Sequence, residues 1–328
     1  MTSPSLIEAD SLTRRFGPVL AVDALSLRVA RGEVLGLLGP NGAGKTTTLK
    51  MLTGFLTPDD GAARIAGFDV GTDGPAARRR LGYVPEGAPL YEDMTPRGFL
   101  AFIARVRGMR GDEAIKAISR AAKAVHIEPV LDRRIDTLSK GYRRRVALAQ
   151  AILHDPDVLI LDEPTDGLDP NQKHEVRQLI EEMAPRKAII ISTHILEEVE
   201  ALCTRAVIID RGHIVADGAP SGLKARSRYN GAVTIGVHER DVARLASMLA
   251  GLAETSAVES RRDAAGFSLT VLPKGTGDLM SAVRRKLAEL EIVPTQIASE
   301  SGRLEDVFRN LTHGEAPSAA PDGREALS

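Results

Sequence analysis

Tryptophan is absent from the 328-residue chain, aromatic residues make up 3% of it, and Cys203 is its one cysteine. So few aromatic side chains argue against a platform that stacks the bases of single-stranded nucleic acid. One cysteine excludes a disulfide framework and a multi-cysteine zinc site within one chain. We therefore interpret Cys203 as a reduced thiol, in the core or near the surface of a cytosolic protein.

The chain also lacks an excess of charge of either sign, since 43 basic and 44 acidic residues give a formal charge of −1. This balance gives no support to a global basic field, and we expect no nucleic-acid partner. No apolar run approaches the ~18 residues needed to span a bilayer. Residues 1–10 show neither the basic nor the apolar region of a signal peptide. We expect a cytoplasmic protein without direct membrane insertion, which a partner would hold at any membrane.

Apolar strands alternate with helices along the first two thirds of the chain. This order predicts an α/β fold with a mostly parallel core sheet covered on both faces. Residues 5–30 alternate apolar and polar side chains, which predicts an antiparallel N-terminal β subdomain, and residues 62–85 are predicted to add short strands. Residues 95–157 show helical patterns only and are interpreted as an inserted helical subdomain. Residues 5–220 would together form one domain.

The pattern changes after about residue 222. Residues 222–312 suggest strand, helix, hairpin, helix and strand, an order that suits a small C-terminal α+β module of the split βαβ kind. Residues 313–328 are rich in Pro, Ala, Gly and Ser and have little to bury, so we expect this tail to be disordered.

The segment "GPNGAGKTT" (39–47) matches the phosphate-loop pattern G-x-x-x-x-G-K-[ST]. Glycines let the backbone curl so that several N–H groups point at phosphate oxygens, and the following helix adds its positive end. In this pattern Lys45 reaches the β- and γ-phosphates and the Thr46 hydroxyl ligates Mg²⁺. The alternative is a chance glycine-rich turn, but the loop lies between a predicted buried strand and a helix, as in a P-loop NTPase. The predicted nucleotide-binding residues of the loop are Gly39, Pro40, Asn41, Gly42, Ala43, Gly44, Lys45, Thr46 and Thr47.

Polar residues follow two further apolar strands, in "VLILDEP" and "AIIISTH". Asp162 comes at the carboxyl end of the first strand, where ligands bind in open α/β sheets, and would hold Mg²⁺ directly or through water. Glu163 leaves the other side of the extended chain, so we interpret it as the general base that acts on the attacking water. The alternative is a structural acid pair that caps the strand. His194 is a candidate γ-phosphate contact, although a lone histidine is more often structural.

The segment "LSKGYRRRV" (138–146) begins a predicted helix. Ser139 is a suitable N-cap, and its hydroxyl, the Gly141 N–H and the helix dipole would form a second anion-binding end. Taken alone, the segment would by default be interpreted as an ordinary amphipathic surface helix whose basic run, Arg143–Arg145, is solvated.

These segments together resemble, in order and separation, the ATP-binding subunit of ABC transporters: residues 39–47, 138–146, 158–170 and His194. The resemblance covers about residues 5–220. Within it, "LSKGYRRRV" is similar to the family signature L-S-G-G-Q, with departures at Lys140 and Tyr142. The resemblance implies that Ser139 and Gly141 close on ATP held by the phosphate loop of the opposing subunit. A homodimer would thus hold two ATP molecules, with Mg²⁺, head to tail.

The resemblance also implies roles for three further residues. Phe16 lies where the family places an aromatic that stacks on adenine, with a core phenylalanine as the alternative. Glu86 occupies the site where many members have a glutamine that contacts Mg²⁺ and links the nucleotide to the membrane partner. Asp169 matches the loop that crosses to the opposing subunit, and it would also suit the N-cap of a helix over 170–183.

The segment "YVPEGAPLYEDM" (83–94) and the signature segment most resemble the exporter branch related to drug, antibiotic and gliding-motility systems. The segment "RLEDVFRNLT" (303–312) is similar to a terminal motif of drug-exporter ATPases. The resemblance implies an ATPase that powers export of an unidentified substrate through a separate membrane-spanning subunit, at the inner face of the cell membrane. We expect the partner contact near residues 86–95 and the helical subdomain. A regulatory or dimer-supporting role for residues 222–312 is a hypothesis.

Two other functions remain open. A soluble ABC ATPase acting on nucleic acid or ribosomes usually carries two nucleotide-binding units, coiled coils or zinc modules, and this chain shows one unit and neither module. The other is a P-loop GTPase or kinase; a GTPase should show an N-K-x-D guanine-reading motif, and the sequence has none.

Overall fold

The structure is a computed structural model that describes residues 4–87, 89–263, 266–275 and 277–313. The chain divides into two compact units, residues 1–220 and 221–328. Within the described ranges, no helix is long and apolar enough to cross a membrane.

The first unit combines two sheets with a helical layer. Its strands are β1 (Ser5–Phe16), β2 (Val19–Ala30), β3 (Val34–Leu38), β4 (Asp60–Ile65), β5 (Phe68–Asp69), β6 (Leu81–Val84), β7 (Val158–Asp162), β8 (Ala188–Thr193), β9 (Arg205–Asp210) and β10 (His213–Gly218). Its helices are α1 (Lys45–Leu52), α2 (Gly74–Arg79), α3 (Pro96–Val106), α4 (Gly111–Ala124), α5 (Lys140–Ile152), α6 (Pro170–Met183) and α7 (Leu196–Leu202). Short 3₁₀ helices cover Glu128–Val130, Ile135–Thr137 and Ala184–Arg186.

The core sheet has the strand order β10-β9-β3-β8-β7-β6. Every pairing in it is parallel except that of β9 with β10. Strands β3, β7 and β8 are buried along their whole length. Alternate residues of β7 join different apolar clusters, with Leu159 and Leu161 in one and Val158 and Ile160 in the other. The sheet is therefore covered on both faces, as the apolar runs predict.

The N-terminal strands form a separate antiparallel sheet of order β2-β1-β4-β5. β1 and β2 pair from Ser5 opposite Ala30 to Phe16 opposite Val19. This confirms the antiparallel pair that the alternating pattern predicts. Residues 62–85 hold more than the predicted short strands, because α2 lies between β5 and β6. A helix of six residues is too short to show a helical period, and its start is marked by Asp73 at the N-cap position and Pro75 in the first turn.

The helical layer consists of α3, α4 and α5. The Thr95 hydroxyl accepts a hydrogen bond from the Gly98 N–H at 3.1 Å, so Thr95 caps α3, with Pro96 at its first position. The Ser139 hydroxyl accepts from the Tyr142 N–H at 3.3 Å and caps α5 in the same way.

The second unit is an antiparallel sheet with helices packed on it. Its elements are α8 (Pro220–Lys224), β11 (Asn230–Val237), α9 (Glu239–Ala250), β12 (Thr255–Asp263), β13 (Gly266–Pro273), α10 (Leu279–Glu289), β14 (Gln296–Ser301) and α11 (Leu304–His313). The strand order is β12-β13-β11-β14. The α+β order of the sequence analysis is confirmed, with α8 before it and α11 after it in addition. Of the tail predicted to be disordered, residues 314–328 lie outside the described residues.

Candidate functional site

Three buried parallel strands end side by side at one edge of the core sheet. β8 lies between β3 and β7, and Leu38 pairs with Thr193 while Asp162 pairs with Ser192. Gly39, Glu163 and His194 are the next residues along the three strands. Parallel register therefore brings the glycine loop, the acid pair and the histidine to the same edge.

The glycine loop connects β3 to α1, and at two of its positions there is no room for a side chain. A Cβ on Gly39 would lie 2.5 Å from the carbonyl oxygen of Ile209. At Gly44 the φ angle is +105°, and a Cβ would lie 2.5 Å from the carbonyl oxygen of Ala21. Both contacts are with backbone, which cannot move aside locally, so only glycine fits. The loop is curled by its own hydrogen bonds, among them Ala43 N–H to the Pro40 carbonyl at 3.2 Å.

Lys45 is almost buried, with 7% of its surface exposed. Its Nζ donates to the carbonyl oxygens of Gly39 at 2.6 Å and Pro40 at 3.0 Å. Burial lowers the pKa of Lys45, and the carboxylates of Glu163, Asp162 and Glu86 oppose that shift. The ammonium group therefore lies over the loop, in the field of the acids on the neighbouring strands.

The three residues predicted to ligate Mg²⁺ line a single cavity of about 370 Å³. Its lining residues are Thr46, Lys50, Tyr83, Pro85, Glu86, Gly87 and Asp162. Asp162 is 1% exposed and is the last residue of β7, not the first residue beyond it. One of its carboxylate oxygens, Oδ1, accepts from the Ser192 hydroxyl. The other, Oδ2, is buried and has no hydrogen-bond partner among the described residues.

This arrangement suits a divalent cation. A buried carboxylate oxygen without a donor costs free energy, and a hard cation satisfies it. Carboxylate and hydroxyl oxygens, as in Asp162, Glu86 and Thr46, are the ligands that Mg²⁺ prefers. Burial raises the pKa of the Tyr83 hydroxyl, and the negative charges of Asp162 and Glu86 raise it further.

Glu163 is held in an unusual backbone conformation. Its φ angle is +47°, in the left-handed region that non-glycine residues rarely adopt. Its N–H donates to the backbone oxygen and the hydroxyl of Ser192, both at 3.1 Å. Its carbonyl accepts from Nη2 of Arg144 at 2.8 Å. The Glu163 side chain meets His194, whose Nδ1 lies 3.1 Å from Oε1.

The beginning of α5 and the beginning of α6 lie together on the surface. Asp169 caps α6, because its Oδ1 accepts from the Gln172 N–H at 2.9 Å. The Gln172 side chain in turn covers Gly141, where a Cβ would lie 2.5 Å from its Oε1. Ser139 and Asp169 are both exposed. No described hydrogen bond joins Ser139 or Gly141 to the glycine loop of the same chain.

Phe16 ends β1 with its ring 47% exposed, and the Arg14 guanidinium lies 5.1 Å from the ring centre. The structure therefore does not place Phe16 in the core, which was the alternative interpretation of this residue. Cys203 is half-buried, and burial raises its pKa to about 12, which keeps the thiol protonated.

Sequence reasoning missed two residues that hold the site. Ser192 binds both Asp162 and the Glu163 N–H, and its position two residues before His194 on the adjacent strand could have indicated this. Arg144 belongs to the basic run for which one interpretation was a solvated helix face, yet it is 5% exposed.

A second, larger cavity of about 820 Å³ lies beside the cavity lined by Asp162 and shares Tyr83 and Pro85 with it. Its apolar wall includes three exposed side chains, Phe55, Tyr91 and Val106. Three arginines, Arg78, Arg79 and Arg107, also line it. It is an open apolar groove with positive charge on part of its wall.

Comparison with known proteins identifies the class. The family profile described as "ABC transporter" matches residues 22–166. The chain is 43% identical over 220 residues to the Nod factor export ATP-binding protein I of Paraburkholderia xenovorans, covering 67% of this chain and 72% of that one. Identity is 34% over 311 residues, 94% of each chain, with the protein of the same name from Ralstonia nicotianae.

Two further similarities agree. The probable multidrug ABC transporter ATP-binding protein YbhF of Escherichia coli is 40% identical over 224 residues, which is 68% of this chain and 39% of that protein. A solved ATP-binding subunit of an ABC transporter superposes with a TM-score of 0.62 at 31% identity, covering 67% of this chain and 92% of that one. The chain therefore belongs to the family of ABC transporter ATP-binding proteins. It is the ATPase subunit of a transporter.

Proposed function

We propose that this chain binds MgATP at residues 39–47, hydrolyses it, and uses the energy to drive export through a separate membrane-spanning subunit. The observation that carries the proposal is the shared edge of three parallel strands. There Lys45, Asp162, Glu163 and His194 converge, and the Asp162 carboxylate has an oxygen left free for a cation.

The residues take separate roles at this edge. Lys45 would exchange its two carbonyl acceptors for the β- and γ-phosphates, and the loop N–H groups with the start of α1 would bind phosphate oxygens. Thr46, Asp162 and Glu86 would hold Mg²⁺, which when bound would offset the negative charge of the phosphates. Glu163 would accept a proton from the attacking water. His194 holds the Glu163 carboxylate and would contact the γ-phosphate.

The second half of the site would come from another copy of the chain. Ser139 and Gly141 form an anion-binding helix start that makes no described hydrogen bond to its own glycine loop. Asp169 is exposed beside them, joined to Gly141 through Gln172. This supports a head-to-tail homodimer in which each α5 start closes on the ATP of the opposing subunit, with Phe16 stacked on adenine.

The apolar groove is our candidate contact for the membrane-spanning subunit. It is lined by Pro85, Pro89 and Leu90 on the segment that carries Glu86, and by α3 of the helical layer. A cytoplasmic helix of the partner with an apolar face and a carboxylate opposite Arg79 would fit it. Contact there would place the chain at the inner face of the cell membrane and would connect the partner to Glu86.

Export is supported by the relatives, whose names state Nod factor export and, for YbhF, probable multidrug transport. The similarity of residues 303–312 to a drug-exporter motif points the same way. Neither observation names the substrate. The near-zero net charge gives no support to a nucleic-acid partner bound through a global basic field.

Three variants test the assignment of the site. ATP binding and steady-state hydrolysis are measured for wild type, Lys45→Ala and Glu163→Gln, with Lys123→Ala, an exposed lysine of α4, as the control. Lys45→Ala should lose ATP binding. Glu163→Gln should keep ATP binding and lose hydrolysis by about 10²- to 10⁴-fold, the range for a general base. Hydrolysis by Glu163→Gln at the wild-type rate would remove Glu163 from its proposed role.

A further inference from the structure

Arg144 stands out as a buried charge without a carboxylate partner. It lies on α5 and is 5% exposed. Among the described residues no carboxylate oxygen lies within 4.0 Å of its guanidinium, and its Nη1 has no hydrogen-bond partner. Its protein contact is the hydrogen bond from Nη2 to the Glu163 carbonyl at 2.8 Å. A guanidinium is costly to bury without an ion pair, so packing alone is a poor explanation for it.

The two neighbouring arginines behave differently. Arg143 lies 3.6 Å from a carboxylate oxygen of Glu92, with its side chain 41% exposed. Arg145 forms an ion pair with Glu175 and lies over the Tyr142 ring. Both therefore have a carboxylate partner, Glu92 on the segment before α3 for Arg143 and Glu175 on α6 for Arg145. Of the three basic residues, Arg144 is the one that points into the site.

The hydrogen bond from Arg144 is made to the carbonyl of Glu163, whose backbone conformation has to be held by its surroundings. Glu163 has a φ angle of +47°, a conformation that persists only where surrounding contacts impose it. Its N–H is fixed by Ser192 of β8, and its carbonyl accepts from the Asp166 N–H within the turn at 3.2 Å and from Arg144 of α5 at 2.8 Å. The glutamate backbone is therefore clamped from both sides, and one side of the clamp belongs to the helix that begins with Ser139.

We propose that Arg144 is the positioning residue that holds the Glu163 turn in place for hydrolysis, and so connects α5 to the general base of its own chain. The inference rests on the proposed role of Glu163. Arg144 does not act on the nucleotide itself. Its guanidinium fixes the carbonyl of the turn, and the turn aims the Glu163 carboxylate at its water.

The charges around Arg144 agree with its proposed position beside the Glu163 turn. Burial lowers the pKa of Arg144, and the acids around the site oppose that shift, with Asp166 first and then Glu163, Asp162 and Glu86. The positive charge therefore sits in the combined field of the site carboxylates without neutralising any one of them in an ion pair. The Glu163 carboxylate stays available to the water.

The test is a double-mutant cycle on the full chain. Arg144→Met removes the donor and the charge at similar volume, Arg144→Lys keeps the charge and one donor, and Arg143→Met is the matched control one position away. We expect Arg144→Met to lower kcat by about 10- to 100-fold, the effect of misplacing a reacting group by about 1 Å. ATP affinity and KM should stay within about twofold of wild type, because the phosphate loop is untouched. Arg144→Lys should recover most of the kcat.

The second half of the cycle places the same change in the Glu163→Gln protein, measured by single-turnover hydrolysis. If Arg144 acts through Glu163, Arg144→Met should change that residual rate by less than about twofold. An equal loss in both backgrounds, or a kcat of Arg144→Met equal to that of Arg143→Met, would overturn the proposal. If Arg144→Met does not fold, Arg144→Gln takes its place: a lower kcat with an unchanged KM supports the proposal, and a raised KM alone, or a kcat equal to that of Arg143→Met, overturns it. An active Glu163→Gln protein would instead show that the proposed function of Glu163 is wrong.

Discussion

Nδ1 of His194 lies 3.1 Å from Oε1 of Glu163, so the two residues proposed for the γ-phosphate and the attacking water contact each other directly. They follow neighbouring strands, and the pairing of Asp162 with Ser192 sets their separation. Nε2 is the ring nitrogen left to face a phosphate oxygen, and the imidazole donates to both the carboxylate and the phosphate only when both of its nitrogens carry a proton. We therefore expect hydrolysis to depend on the position of the short turn after β7 relative to the short turn after β8.

Glu198 fixes those two turns relative to each other. This carboxylate is 3% exposed and accepts from the Thr165 hydroxyl, after β7, and from the Thr193 hydroxyl at 3.1 Å, beside His194. Lys173 lies 3.7 Å from it. We predict that Glu198→Ala lowers the free energy of unfolding by about 3 kcal/mol, because it leaves buried polar partners unpaired. Urea denaturation measures this.

The control for that change is Glu197→Ala, on the exposed side of the same helix. It should alter the free energy of unfolding by less than about 0.5 kcal/mol. Equal effects of the two changes would mean that the buried hydrogen bonds of Glu198 contribute nothing measurable. Glu198→Ala should also reduce hydrolysis, since Thr193 positions the turn that carries His194.

Glu86 stands where many family members have glutamine, and its carboxylate lines the proposed Mg²⁺ cavity with Thr46 and Asp162. A second negative charge there should strengthen cation binding. We predict that Glu86→Gln raises the Mg²⁺ concentration for half-maximal hydrolysis by about tenfold, at the lower end of what a lost metal-site group costs. Hydrolysis measured across a Mg²⁺ titration checks this, with Glu113→Gln on α4 as the control. An unchanged Mg²⁺ requirement would remove Glu86 from the cation site.

His154 predicts a pH dependence of stability. Its Nε2 lies 3.1 Å from the Leu81 carbonyl, and burial together with the charge of Arg107 lowers its pKa to about 4. An unfolded histidine has a pKa of about 6.5. The unfolded chain therefore takes up this proton first as the pH falls, and stability is lost between about pH 6.5 and pH 4. The shift corresponds to a loss of up to about 3 kcal/mol.

The measurement is urea denaturation at several pH values for wild type, His154→Gln and the exposed His174→Gln. His154→Gln keeps a donor for the Leu81 carbonyl but cannot titrate, so its stability should fall less between pH 6.5 and pH 4 than that of wild type. His174→Gln should follow wild type. Parallel curves for all three proteins would show that His154 does not carry this dependence.

The parts of this molecule that were predictable from sequence are those that short segments encode. A glycine loop between a strand and a helix, or an N-cap such as Ser139 or Asp169, depends on neighbours within a few residues, and the structure has both caps as predicted. Arg144 was not predictable. Its contact with Glu163 spans 19 residues, and nothing in the run of three arginines marks which of them is buried. The helix α2 was missed for a local reason, because six residues show no period.

We propose that two chains close on two ATP molecules through Ser139 and Gly141, and this closure is the central step of the proposed function. Its most direct test is size-exclusion chromatography with light scattering on Glu163→Gln, with and without MgATP, beside the double variant Ser139→Arg/Glu163→Gln. We expect Glu163→Gln to be a monomer without nucleotide and a dimer with MgATP, and the double variant to be a monomer in both conditions. A Glu163→Gln protein that binds ATP and stays monomeric, or a double variant that still dimerises, would contradict it.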